Sequence, residues 1–186
     1  MDILKHLQQI LPSPDVADAL KSIGENIGTK AQIDRVCRSV NGYLEAQTYD
    51  NISAIPNGSV TVVNYVTLLE ARQGKYGHWV CIDNRPVDRV LYLDPYGLGP
   101  DIARAALHLN HGNNLRAKLA ASVGGKSIYI NRTQFQDFAP SDDSCAAWSS
   151  LFVVEPYDPA KPVYQVSTPS ANRDLQLEER LEGGSI

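Results

Sequence analysis

Residues 60–94 read VTVVNYVTLLEARQGKYGHWVCIDNRPVDRVLYLD, and this stretch decides the fold class. Val60 to Leu69, His78 to Ile82 and Val90 to Leu93 are rich in β-branched and aromatic residues, and Gly, Pro, Asn or Asp bounds each run. Such side chains suit a pleated, half-buried surface, so each run predicts a strand. GKYG at Gly74 to Gly77 and DNRPVD at Asp83 to Asp88 are the turns between them. Three successive strands on short connections predict an antiparallel meander.

Outward from the meander, both flanks read as helical. Before it, Ser13 or Asp15 can cap a helix over Val16 to Ile27, with Pro14 at a tolerated early position and Gly28 as a stop. A second helix is expected over Ala31 to Ala46, where Ile33, Val36, Val40 and Leu44 recur at helical spacing and Cys37 lies on or beside the apolar face. After the meander, residues 101–121 read as a helix interrupted at His111 to Asn114 (HGNN). VGGK at Val123 to Lys126 is a turn, and Lys126 to Ile130 a short strand. Asp142, Asp143 and Ser144 offer N-cap chemistry ahead of an apolar run, Cys145 to Val154, which Pro156, Pro159 and Pro162 bring to an end. A further helix is expected over Asp174 to Glu182 (DLQLEERLE). The expectation is an α+β protein: a central, mixed and mostly antiparallel sheet flanked by helices, with Cys145 at the N-terminus of a buried central helix. We expect one domain over 1–166, with a helical part at 1–50 and a core at 60–155, followed by a polar tail at 167–186.

Composition narrows the class. A chain of 186 residues, 43% hydrophobic and 20% charged, suits a globular domain that buries its own core without disulfides or a structural metal. The formal charge of -4 argues against a partner bound through its phosphate backbone, which needs clustered Lys and Arg. Three cysteines, Cys37, Cys81 and Cys145, with no CxxC pair, suit a reducing compartment. The N-terminal MDILKHLQQILPSPD is too polar for a secretory signal, and no apolar run approaches the roughly 20 residues a bilayer requires. The expectation is a soluble intracellular protein, or one packaged in a particle assembled inside cells, neither secreted nor membrane-bound.

Three residues carry the chemistry. Cys145 stands between a polar stretch and an apolar run, in the first turn of the expected helix, where the helix N-terminus favours a thiolate. On position alone, a small core hydrophobe is the commoner fate of a cysteine, and Asp142 and Asp143 disfavour a thiolate unless a cation compensates. His78, in GHWVCID, opens a strand just after a glycine turn and can point its ring into a cleft. Asp94, in LYLDPYG, ends the following strand and can fix the tautomer of a histidine, although an Asp before proline commonly caps a turn. His6, His108 and His111 have no partner motif nearby. A base, an acid sixteen residues on and a cysteine fifty-one residues after that, each at the end of an element, form a more informative set than any one of them. Upstream of the cysteine, NRTQFQDF offers a Gln side chain to an oxyanion.

VVNYVTLLEARQGKYGHWVCID, then LYLDPYG, then a Gln, then the cysteine helix, resembles the adenovirus maturation protease. More broadly it is similar to the Ulp-type SUMO proteases and the proteases of large DNA viruses and virophages. The likeness covers about residues 60–155. It implies an adenain/Ulp-like cysteine endopeptidase with His78 as base, Asp94 as orienting acid, Cys145 as nucleophile and Gln136 as oxyanion donor, Gln134 being the rival. Ala146 stands where the family usually has Gly, and the Gln lies further from the cysteine than expected. That Gly-to-Ala change leaves open a catalytically inactive binding module. The resemblance implies no metal or organic cofactor. It implies a protein or polyprotein substrate and allows an activating peptide. A protease of SUMO-like or ubiquitin-like modifiers is the other reading within the class.

The last residues, LEGGSI, match the aliphatic-x-Gly-Gly sites such viral proteases cut, which marks Gly184 and Ser185 as a candidate self-cleavage site; a flexible tail explains them as well. A Gly-Gly preference would follow from a tunnel too narrow for a Cβ, walled by an aromatic such as Trp79.

Overall fold

A computed structural model describes residues 29–67, 69, 72–73, 77–102, 115–136 and 144–161. The expected helices over Val16–Ile27 and 174–182, the HGNN break, Asp142, Asp143 and the LEGGSI terminus lie outside these residues. The described elements are helix α1 (Lys30–Cys37) and strands β1 (Gln47–Thr48), β2 (Val60–Asn64), β3 (Trp79–Asp83) and β4 (Arg89–Leu93). Helix α2 (Leu115–Ser122), strand β5 (Ser127–Ile130) and helix α3 (Cys145–Val154) follow.

The sheet runs β1-β2-β3-β4-β5. The three central strands form the expected antiparallel meander, with Val60 opposite Asp83 and Cys81 opposite Leu93. Both outer strands are parallel to their neighbours. A parallel neighbour needs a crossover, and the chain between β4 and β5 supplies one that contains α2. The result is a mixed α+β fold with helices on the sheet.

Side chains alternate cleanly between the two faces of the meander. Val60, Val62, Trp79, Cys81, Leu91 and Leu93 face one cluster, shared with α1 and α3. Val63, Val80, Ile82, Val90 and Tyr92 face the other, closed by Leu119 of α2 and by Val123. Helix α3 has buried residues all round, Cys145 through Val153 without a break, because it lies between the sheet and α1. Among the described residues, no helix is long and apolar enough to cross a membrane.

Two expected elements are shorter than their sequence patterns. Helix α1 begins at a capping box between Thr29 and Gln32 but stops at Cys37, not Ala46. Val40 and Leu44 keep the helical period, yet Gly42 takes a φ of +80° and the Leu44 amide donates to Val60 O at 2.8 Å, so pairing alongside β2 wins over local propensity. Asp34 anchors this turn by accepting hydrogen bonds from Tyr43 Oη and the Ala46 amide, both at 2.8 Å. Strand β2 ends at Asn64, whose Oδ1 takes the Val66 amide at 2.9 Å and turns the chain.

Candidate active site

Antiparallel pairing brings the start of β3 and the ends of β2 and β4 to one edge of the sheet, and the end of β5, parallel to β4, arrives there too. His78 directly precedes β3, and Asp94 directly follows β4. Their side chains meet, with His78 Nε2 2.7 Å from Asp94 Oδ1. Both residues are buried, at 1% and 0% exposure. Helix α3 starts at this same edge, and the Cys145 side chain comes close enough to His78 to help raise its imidazole. The structure therefore brings together His78, Asp94 and Cys145.

The surroundings hold this row in place. Burial opposes a charge on His78, but the Asp94 carboxylate, by its charge and its hydrogen bond, and the Cys145 sulfur outweigh it and raise the imidazole to about 9. Tyr96 stacks on the ring at 4.2 Å between centroids, and Tyr65 at 5.4 Å. Tyr65 Oη also donates to Asp94 Oδ2 at 3.3 Å. Extending the β2–β3 register by one step and the β3–β4 register by three puts both tyrosines opposite His78, one from each neighbouring segment.

The sequence DPYG accounts for the acid's position. The Gly97 amide closes the turn on Asp94 O at 2.8 Å, and the Tyr96 amide donates to Asp94 Oδ1 at 2.8 Å. Asp94 thus caps the turn and holds the histidine at the same time. Gly97 has a φ of +75°, and a Cβ there would crowd the carbonyls of Arg132 and Thr133. Asn131 pins the Asp94 backbone from both sides: its Oδ1 accepts the Asp94 amide at 2.7 Å and its Nδ2 donates to Asp94 O at 2.8 Å.

Gln136 is buried, and its amide donates to Pro95 O at 2.9 Å, which ties it to the acid's turn. Gln134 is also buried, and its Nε2 donates to the Gln136 carbonyl at 2.8 Å. Trp79 lies in the apolar cluster that includes Cys145. The Ala146 methyl belongs to the same cluster, at 1% exposure. Ser144 is the N-cap residue of α3, but its side chain makes no capping hydrogen bond, so the expected serine cap is not formed. Gly184 and Ser185 are outside the described residues.

The far end of α3 is tied to β3 by a residue that the sequence placed only in a turn. Arg85 donates to Val153 O at 2.9 Å and Phe152 O at 3.2 Å while gripping both oxygens of Asp83. A cation at the C-terminus of a helix favours its dipole. Tyr65, Tyr96, Asn131 and Arg85 were all missed from sequence. For the two tyrosines the signal was there, since pairing the expected strands places Tyr65 across from His78 and the DPYG turn carries Tyr96.

The sequence matches no family model and no curated protein. A buried cysteine at a helix start, set against a buried His–Asp pair within a mixed α+β fold, is compatible with a thiol hydrolase.

Proposed function

We propose that this chain is a cysteine endopeptidase of the adenovirus-protease and Ulp type, acting in viral polyprotein or capsid maturation with a preference for Gly-Gly sites. The observation that carries the reading is the buried imidazole between the two partners: His78 Nε2 lies 2.7 Å from Asp94 Oδ1, and the Cys145 side chain acts on the same ring. In the reaction, the Cys145 thiolate attacks the scissile carbonyl beside the His78 imidazolium. The carbon–sulfur bond forms and the oxyanion is held by the Cys145 amide and the Gln136 side chain. His78 gives its proton to the departing amine as the carbon–nitrogen bond breaks. Water then hydrolyses the thioester, losing a proton to His78 and regenerating the thiol.

Two further observations support the assignment. The side-chain amide of Gln134 is engaged with the Gln136 carbonyl, which favours Gln136 as the donor to the oxyanion. The Ala146 methyl is buried in the core, which favours packing over obstruction of the sulfur as the role of the residue standing in place of glycine. This weighs against an inactive binding module.

The test uses a Gly-Gly vinyl sulfone probe, a peptide ending in LEGG, and SUMO and ubiquitin conjugates. We expect covalent capture at Cys145, lost in Cys145→Ala, and turnover of the LEGG peptide. Turnover of the modifier conjugates alone would move the protein to the other branch of the class. A Cys145 no more reactive than Cys37 would end the enzyme reading. A chain extended past Ile186 should be cut after Gly184 only when Cys145 is present, as mass spectrometry can read directly.

A further inference from the structure

We infer that Ser149 is a positioning residue for this site: its hydroxyl replaces a missing strand donor and so sets the Cys145 helix against His78. The inference rests on the thiol-hydrolase reading above and adds a residue to it.

The sheet ladder lacks a donor beside the site. In an antiparallel pair, successive residues turn their carbonyls to opposite neighbours. The Tyr65 amide takes the His78 carbonyl at 2.9 Å, on the β2 side. The Trp79 carbonyl must then face the β4 side. The β3–β4 register pairs Cys81 with Leu93, so one hydrogen-bonded step further puts Trp79 opposite Pro95. Proline has no N–H to give. Pro95 is the second residue of the DPYG turn, which also holds the acid, so the ladder loses a donor where the site is built.

A buried carbonyl left without a donor is costly. Ser149 fills the place, its Oγ donating to Trp79 O at 2.9 Å. Ser149 is fully buried and sits in the middle of an apolar helix, where a hydroxyl would otherwise have little use. It lies four residues after Cys145, one turn along the same face of α3. Trp79 is the residue after His78. One hydrogen bond therefore links the helix turn next to the nucleophile with the peptide next to the base. Arg85 ties the same two elements at their other ends. With both links made, α3 lies alongside β3 in a fixed register, and the sulfur meets the imidazole. The adjacent Ser150, also fully buried, provides a control, since its hydroxyl lies near Cys37 of α1 and makes no hydrogen bond to the site.

The experiment measures the rate of Cys145 alkylation by iodoacetamide against pH, with site-resolved mass spectrometry, in the full chain. In Ser149→Ala we expect alkylation at pH 7 to slow by about 10- to 100-fold, the scale set by a small misplacement of reacting groups. The acid limb of the profile should also move to higher pH, because the thiolate–imidazolium pair forms less readily. Ser150→Ala should keep the wild-type limb even where its melting temperature falls as far. Ser149→Thr retains the hydroxyl and should keep the wild-type limb, and it decides alone where the alanine variant does not fold. An unmoved limb and rate in Ser149→Ala overturns the inference, as does a limb displaced equally by Thr. Those outcomes are separable from failure of the enzyme reading, in which wild-type Cys145 itself reacts no faster than Cys37.

Discussion

Cys145 and the pair Cys37 and Cys81 belong to one apolar cluster, yet among the described residues only Cys145 has a charged imidazole beside it. Beneath α3, burial pushes Cys37 up to about 12, and burial followed by the Asp83 charge pushes Cys81 well above the ordinary range. These thiols act as small hydrophobes. At the start of α3, an imidazole already charged by its carboxylate partner reaches the sulfur of Cys145. Burial is common to all three, so burial does not decide reactivity. A neighbouring cation does.

The strongest way to break this comparison is to remove either half of the distinguishing pair. Cys145→Ala should lower kcat on the order of 10⁶-fold, the scale seen when a triad loses its nucleophile. The fold should survive, because alanine is at home in a helix. Asp94→Asn should cost about 10⁴-fold, the scale seen when the orienting acid of a triad becomes an amide. Alkylation of Cys145 in that variant should approach the rate of Cys37. Steady-state kinetics and site-resolved labelling measure both, and an Asp94→Asn enzyme at wild-type speed would mean that the carboxylate only caps its turn.

Titration sharpens the same point. His78 stands at about 9 in the folded chain, above its ordinary 6.5, so folding favours the protonated ring. Below pH 6.5 the ring is protonated whether or not the chain is folded, and its contribution is fully present. That contribution is lost as pH rises through about 9. A difference of this size corresponds to about 3 kcal/mol. Urea midpoints measured from pH 6 to 10 should therefore fall in wild type, while the fall should flatten in Asp94→Asn. Turnover should decline on the alkaline side near the same value, as the imidazolium discharges. Stability that rises across that interval would contradict the ion-pair account.

Much of this was legible before any coordinates. The meander, the cysteine helix from Cys145 to Val154 and the meeting of His78 with Asp94 all follow from local signals: β-branched runs, an apolar run after polar residues, and acids at strand ends. What stayed hidden depends on contacts between distant elements. Arg85 reads as a turn residue until α3 is seen to end beside it. Ser149 reads as a neutral helix residue until the missing proline donor is counted. The sequence pattern of helix α1 overruns its true end because a helical period continues through Val40 and Leu44, while the Leu44 amide donates to Val60 O of β2. Asp94 carried two competing sequence readings, and the structure assigns both roles to the same carboxylate.

The approach to His78 tests how tightly its position is set. A Cβ on Gly77 would fall inside van der Waals contact of Asn64 Oδ1 and the Val66 side chain, at the turn that ends β2. Gly77→Ala must push either that turn or the histidine aside. Overpacking of this kind costs about 1–3 kcal/mol, and displacement of the base should slow Cys145 alkylation by about 10- to 100-fold. Thermal melts and labelling rates report the two effects separately. A variant that melts lower yet labels at the wild-type rate would show that β2 yields while the His78–Cys145 pair does not.

The smallest expected effect on rate comes from the thiols on the inert side of the comparison. Cys37 and Cys81 are fully buried, and no side chain described around them presents a histidine. Replacing either with alanine removes a sulfur from a packed core and should cost about 1 kcal/mol or a little more. The rate at Cys145 should not change, since neither thiol touches the His78–Asp94 pair. In the double variant Cys37→Ala/Cys81→Ala, iodoacetamide should modify one thiol per chain with the wild-type pH profile. Ellman titration of the native protein should likewise count one fast thiol, and of the unfolded wild type, three. A second fast thiol in the native protein would mean that the cluster beneath α3 opens as readily as the site. The contrast would then rest on packing and not on the imidazole.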